Sequence, residues 1–277
     1  MTPNKEDIRL QLCRLHYAVG ANEFFDEPTV RFAAAADPWF ERFHEVIGPF
    51  HWTPQEALTQ VAPNATARTV ISWCMPKTRT ARESNRHERQ RPSLDWARAR
   101  SYGEVANEAM RKQFCRYLEE MGCVAMAPHS HMSYPDAVKR LASNWSERHV
   151  AFVAGMGTFG LSAGLITERG IAHRLGSVVT DLALEPDPRP YGDDPFAWCS
   201  KCGACARRCP AHAIGPGFLD RDKGKCLKYA IEHISPGRLE HYGWMDLPIG
   251  CGLCQTAVPC EFQRPPLPPE GREGAVR

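Results

Sequence analysis

No run of about 18 apolar residues occurs anywhere in the 277-residue sequence, so no membrane-spanning helix is expected. The opening, MTPNKEDIRLQLCRL, lacks the basic-then-apolar order of a secretion signal and lacks a twin-arginine pair. The expected location is therefore the cytoplasm. Net charge is almost absent: 34 Lys and Arg against 32 Asp and Glu leave +2, which singles out no nucleic acid or membrane partner. Cysteine is scarce over most of the chain, with Cys13, Cys74, Cys115 and Cys123 alone in the first 198 residues. Those four read as small apolar residues, two on helices and two in strands. A secreted disulfide framework, which would spread its cysteines through the fold, does not fit.

The organisation reads as an α/β (α+β) domain over 1–190 followed by a cysteine domain over 191–277. The proline-rich EPDPRPYGDDP (185–195) links them. Residues 1–62 read as mostly helical, with Asp37 and Pro38 opening one helix. Residues 69–74 read as a buried strand ended by Pro76, 123–127 as a second and 177–184 as a third. The spacing of Val105, Ala109, Phe114, Leu118 and Met121 predicts an amphipathic helix over 104–121. Residues 77–100 carry eight Lys or Arg against three Asp or Glu without periodicity and read as a solvated basic loop. Ser146 is placed to cap a helix through Phe152.

The other eight cysteines crowd into the last 79 residues. Cys199-x2-Cys202-x2-Cys205-x3-Cys209-Pro210 puts three thiols on one tight turn, enough for three corners of a [4Fe–4S] cubane. Cys226, Cys251, Cys254 and Cys260 follow, and eight thiolates suit two cubanes. In two-cluster ferredoxins the fourth cysteine of such a run binds the other cluster. By that rule the first cluster takes Cys199, Cys202, Cys205 and Cys260, and the second takes Cys209, Cys226, Cys251 and Cys254. Structural zinc, with its separated Cys-x2-Cys pairs, is the weaker match. Lys201, Arg207, Arg208, Lys225 and Lys228 are candidates to balance the negative charge of the clusters. Two clusters in one small domain imply electron transfer.

Upstream, GMGTFG (Gly155, Gly157, Gly160) matches a dinucleotide fingerprint but follows a helix-like segment and lacks a well-spaced acid. A plain tight turn is a second reading. The third comes from a resemblance. SERHVAFVAGMGTFGLSAGLITERGIAHRLGSVVTDLAL, followed by the cysteine run and IGCGLCQ, resembles the core of cobalamin-dependent epoxyqueuosine reductases and the related reductive dehalogenases. The resemblance implies that Gly155, Gly157, Gly160 and Thr167 help hold a corrinoid above the nearer cluster. It also implies a reductase fed by a small ferredoxin or flavodoxin and acting on a small molecule or nucleoside. His129 and His131 are candidates to line such a cofactor site.

Two departures accompany the resemblance. Epoxyqueuosine reductases carry an aspartate followed by a tyrosine as general acid, and the matching ARARSYGEVAN offers Ser101 and Tyr102. A serine hydroxyl cannot donate a proton at neutral pH as a carboxylic acid does. The family's tRNA-gripping helical region has no counterpart in the 17 residues after Cys260, so tRNA is not the expected partner. The alternative function is a non-catalytic electron carrier or corrinoid-reducing partner.

Overall fold

A computed structural model of the chain describes residues 2–235, 238–242 and 250–266. Ile249 of IGCGLCQ and residues 267–277 of the C-terminal tail lie outside the described residues. In chain order the elements are α1 (Lys5–Ala18), β1 (Thr29–Ala34), α2 (Pro38–Val46), α3 (Pro54–Thr59) and β2 (Thr69–Pro76). There follow α4 (Arg79–Arg86), α5 (Leu94–Glu120), β3 (Ala125–Met126), α6 (Tyr134–Arg140) and α7 (Glu147–Val153). The glycine-rich segment then forms β4 (Gly157–Phe159) and β5 (Leu165–Thr167), and β6 (His173–Thr180) closes the first part. Short helices α8 (Ala204–Arg207), α9 (Lys223–Tyr229) and α10 (Arg238–Tyr242) punctuate the cysteine-rich part.

The central sheet has the order β1-β2-β6-β3, antiparallel throughout, and β4–β5 is a separate hairpin. Alternation along β2 divides its side chains between two helical layers. Ile71, Trp73 and Met75 share a core with Ile8 and Leu12 of α1 and with Met110 and Phe114 of α5. Val70 and Cys74 share the other core with Phe40 and Phe43 of α2 and Val150 and Phe152 of α7. The Trp73 indole fills the space opposite Gly176, where a Cβ would lie 2.4 Å from the ring. Its N–H donates to Asn107 Oδ1 at 3.0 Å, and Asn107 Nδ2 donates to the Leu175 carbonyl at 3.0 Å. One polar side chain thus ties α5 to the sheet.

Several expectations are corrected. The N-terminal region, expected to be mostly helical, also holds a strand: Thr29–Ala34 pairs with β2 at the sheet edge, and its alanines and half-exposed arginine hide its strand character. Residues 77–100 are not a loop. Thr78 caps α4 and Ser93 caps α5; Arg79 and Arg98 are exposed, whereas Lys77 is buried and Arg82 and Arg86 turn inward to pair with Glu261. Helix α5 therefore starts at Leu94, ten residues before its expected start. It runs through Gly103, where a Cβ would meet the Phe25 ring at 2.6 Å. The second strand shrinks to Ala125–Met126, and the third runs from His173 to Thr180. Ser146 precedes α7 but does not cap it, since its hydroxyl pairs with His149 Nδ1 at 2.7 Å.

The segment 185–195 is anchored rather than free. Asp187 accepts from Lys5 Nζ at 2.5 Å and from the Phe32 N–H at 3.1 Å. Beyond it the chain continues the same core, with Trp198 and Val258 packed in the cluster that holds Phe152 and Cys74. Cys74 is buried, and Cys13, Cys115 and Cys123 are half-buried.

Candidate functional site

The first cysteine group is built by two turns that permit close approach. Lys201 (φ 50°) and Gly203 (φ 68°) fold 199–205 tightly before α8. Segment 250–266 brings Cys260 to the same place, because the Ile171 N–H donates to the Cys260 carbonyl at 2.8 Å and the Ala172 N–H to the Glu261 carbonyl at 3.1 Å. Gly170 (φ +85°) admits that segment, since a Cβ there would lie 2.3 Å from the Glu261 carbonyl oxygen. Buried Glu261 locks it with an ion pair to Arg86 at 2.8 Å. Cys199, Cys202, Cys205 and Cys260 then line one cavity with Gly160, Ile166 and Ile171. Burial, reinforced by the neighbouring thiols, raises Cys205 to about 11 and Cys260 to about 12. Bare, these groups stay protonated; bound metal supplies the positive charge that makes them thiolates. Cys202 is the exposed member.

The second group gathers Cys209, Cys226, Cys251 and Cys254. Cys226 lies on α9, and Cys251 and Cys254 flank Gly252 (φ +61°), whose Cβ would strike the Trp96 ring. Burial comes first in raising the Cys251 and Cys254 thiols, and the charges of Cys209 and Cys226 add to it. Cys209 Sγ accepts from the Ala213 N–H at 3.5 Å. Arg221 donates to Cys226 Sγ at 3.3 Å and to the Ser162 carbonyl. Among the described residues no three His, Cys, Asp or Glu side chains converge as ligands of a single ion.

Of the five cations expected to balance charge, Arg208 feels the charges of Cys251 and Cys254 and donates to the carbonyls of Asn85, Glu88, Leu253 and Thr256, knotting α4 to the second cysteine pair. Lys225 and Lys228 face Asp222 and Glu232, Arg207 donates to the Cys202 carbonyl, and Lys201 stacks on Phe218. Arg221 and Arg148 also face the second group. Arg221 lies five residues before Cys226 and Arg148 on α7, and neither falls in the close-spaced cysteine runs. Arg148 feels the charges of Cys226 and Cys254, donates to the Ala163 carbonyl at 2.5 Å, and has no carboxylate partner among the described residues.

Arg148 also stands on the common wall of two cavities. The larger, about 540 Å³, is framed by Phe43, Phe152, Phe159 and Phe218 with Arg42 and Lys223 at its edges. The smaller, about 260 Å³, is polar and holds Glu104, Arg111, Glu147, His129, His173 and Arg174. Arg174 pairs with Glu104 at 2.9 Å, and the cations beside Glu104 pull its carboxyl down to about 2 against the push of burial. Burial drives His129 and His173 down to about 4, so both rings are neutral at pH 7. His131 bonds the Ala127 carbonyl at 3.2 Å.

The glycine segment serves the backbone. Gly155 (φ +81°) admits the Pro188 carbonyl at 2.5 Å from a would-be Cβ, and Gly157 the Ile166 carbonyl at 2.0 Å. Gly160 faces Cys199, with 3.7 Å from a would-be Cβ to its Sγ. The Thr167 hydroxyl donates to the Gly170 carbonyl at 2.9 Å and accepts from the Arg169 N–H at 3.1 Å. Ser101 is buried within α5, its hydroxyl without a hydrogen-bond partner, and Tyr102 is exposed.

No protein-family model matches the chain. It is 46% identical over 67 residues to tetrachloroethene reductive dehalogenase of Desulfitobacterium hafniense, covering 24% of this chain and 12% of that one. It is 30% identical over 169 residues to epoxyqueuosine reductase of Francisella cf. novicida, covering 59% of this chain and 42% of that one. The match thus spans less than half the length of either relative. Among solved structures, epoxyqueuosine reductase from Streptococcus thermophilus superposes with TM-score 0.51 at 17% identity, over 95% of this chain and 68% of that one. A reductive dehalogenase structure described with B12-dependent dehalogenation gives 0.56 at 17% identity, over 91% and 31%. The chain is related to both enzyme groups and shares their mixed α/β fold.

Proposed function

We propose that this chain is a cytoplasmic iron–sulfur reductase in which two [4Fe–4S] clusters in a ferredoxin-like C-terminal part feed electrons to the cleft beside Arg148. The observation that carries the reading is the position of Arg148, a half-buried cation shared by the second thiol group and both cavities. Cys199, Cys202, Cys205 and Cys260 hold the entry cluster, where exposed Cys202 gives a small ferredoxin or flavodoxin its approach. Cys209, Cys226, Cys251 and Cys254 hold the inner cluster.

The donor set of the larger cavity fits a bulky amphipathic group such as a corrinoid. Aromatic walls cover a flat macrocycle, while Arg42, Arg148 and Lys223 would meet its amide carbonyls and its phosphate. A bound corrinoid supplies a metal centre that stores electrons and acts on a carbon–heteroatom bond. Around it the chain excludes water with Phe43, Phe152 and Phe159 and orients the substrate with the charged side chains of the smaller cavity. Gly160 keeps the wall of the entry cluster thin. The substrate class is a small molecule or nucleoside with a polarised C–O or C–halogen bond. A pure electron carrier has no use for a cleft of this kind.

Cobalamin titrated into the anaerobic, cluster-loaded protein tests this reading. Binding at micromolar concentration, weakened in Arg148→Gln, is expected. Intact clusters with no cobalamin binding would overturn the corrinoid assignment and favour the carrier.

A further inference from the structure

Glu147 opens α7 on the wall of the smaller cavity, and the hydrogen bonds around it decide where a proton can sit. Trp145 Nε1 donates to Ser177 Oγ at 2.9 Å. An indole N–H can only donate, so Ser177 directs its own hydrogen to Glu147 Oε2, at 2.6 Å. Oε2 is therefore the accepting oxygen. Oε1 is buried and has no hydrogen-bond partner.

The nearest cation pairs with Oε1 by charge but gives it no hydrogen bond. Arg111 Nε lies 3.5 Å away, an ion-pair distance without hydrogen-bonding geometry. Its Nη1 already reaches Glu104 at 2.9 Å and Glu108 at 3.2 Å, and its Nη2 the Leu175 carbonyl at 3.3 Å. Arg174, from β6, is paired with Glu104 at 2.9 Å, and His129 and His173 are neutral. The neighbouring Arg148 donates to the Ala163 carbonyl. A buried carboxyl oxygen with no donor aimed at it is more stable as O–H than as a bare anion. Consistently, burial pushes the Glu147 carboxyl up to about 7, against the opposing pull of Arg111 and Ser177 and with the added push of Glu104.

We propose that Glu147 is the proton donor of this cavity, carrying its proton on Oε1 at neutral pH and giving it to the anion formed when a bound molecule is reduced there. The proposal rests on the cavity being the place of reduction. For a substrate R–X, two electrons arrive from the reduced iron–sulfur clusters and one proton from Oε1. The C–X bond breaks, a C–H bond forms and X⁻ leaves; the Glu147 carboxylate then regains a proton from solvent. This supplies the acid that Ser101, enclosed in α5, does not.

The test is an infrared pH titration of the cluster-loaded protein in its oxidised form, read on the C=O stretch of protonated carboxyl groups. A band that titrates with a midpoint near 7 is expected in the native protein and absent from Glu147→Gln. Ser177→Ala removes a hydrogen bond to the carboxylate form and should move the midpoint to higher pH. Transfer to D2O should shift the band within minutes, because a donor must exchange with the cavity. No such band between about pH 6 and 8, or the same band in Glu147→Gln, would overturn the proposal. So would a band that fails to exchange, which marks a sealed structural carboxyl. The band is read without corrinoid or substrate, so its absence and a failure of cobalamin binding are distinguishable results.

Discussion

Arg221 points its guanidinium at the sulfur of Cys226, Nη2 to Sγ at 3.3 Å, and no carboxylate pairs with it among the described residues. A fixed cation at a ligating sulfur stabilises the more negative, reduced state of a cluster. Replacing Arg221 by Gln should therefore lower the potential of the inner cluster and leave the entry cluster unchanged. Loss of such an outer contact typically weakens metal retention about 10–100-fold, so chelator should strip the inner cluster faster. Electron paramagnetic resonance during a redox titration reads both effects. An unchanged inner potential would show that Arg221 does not face a cluster.

Gly157→Ala tests whether the glycine segment is structural. A Cβ would lie 2.0 Å from the Ile166 carbonyl oxygen across the β4–β5 hairpin, so the strands must separate. Destabilisation of about 1–3 kcal/mol is expected in denaturant unfolding, with or without cobalamin. A variant of native stability that merely fails to bind cobalamin would assign Gly157 to the cofactor instead.

Ser101→Asp should not create a reductase acid. The residue is 3% exposed within α5, so a carboxylate there is taken out of water. A loss of about 2 kcal/mol or more is expected from thermal unfolding, with no gain in epoxyqueuosine reduction. Native stability joined to new activity would place Ser101 at the reacting centre.

The buried histidines set an acid limit. Burial lowers His51, His129 and His173 to about 4, below the unfolded value near 6.5, so between these limits the unfolded chain binds more protons. Stability is therefore lost as pH falls from about 6.5 toward 4, by up to about 1.4 kcal/mol per pH unit for each group. Glu147 works in the opposite sense, since its raised carboxyl costs stability as pH rises from about 4.5 toward 7. Three histidines outweigh one carboxyl. Thermal midpoints should rise from pH 5 to 6.5, and less steeply in His51→Phe; a flat or falling profile contradicts the assignment.

What the sequence disclosed and what it hid have separate physical origins. The run from Cys199 to Cys209 is legible because thiols on one turn have few other uses, and β2 because eight consecutive buried residues leave little choice. Helix α4 was hidden because it buries little besides Ala81 and Asn85, leaving no apolar period to read. Strand β1 lies at the sheet edge, with only Val30, Phe32 and Ala33 of its six residues buried. Glu147 and Arg148 were invisible as site residues because a charged pair opening a helix normally faces water. Only the packing of β6, α5 and the cysteine segment around them turns those charges inward.

The proposed function requires eight thiols of one chain to hold two cubane clusters next to a cleft. Iron, acid-labile sulfide and zinc should be measured on protein purified without oxygen, for the native chain and for Cys226→Ala. About eight iron and eight sulfide per chain are expected in the native protein, and about four of each in the variant, with zinc absent from both. Zinc in place of iron, or full iron in Cys226→Ala, would contradict the account.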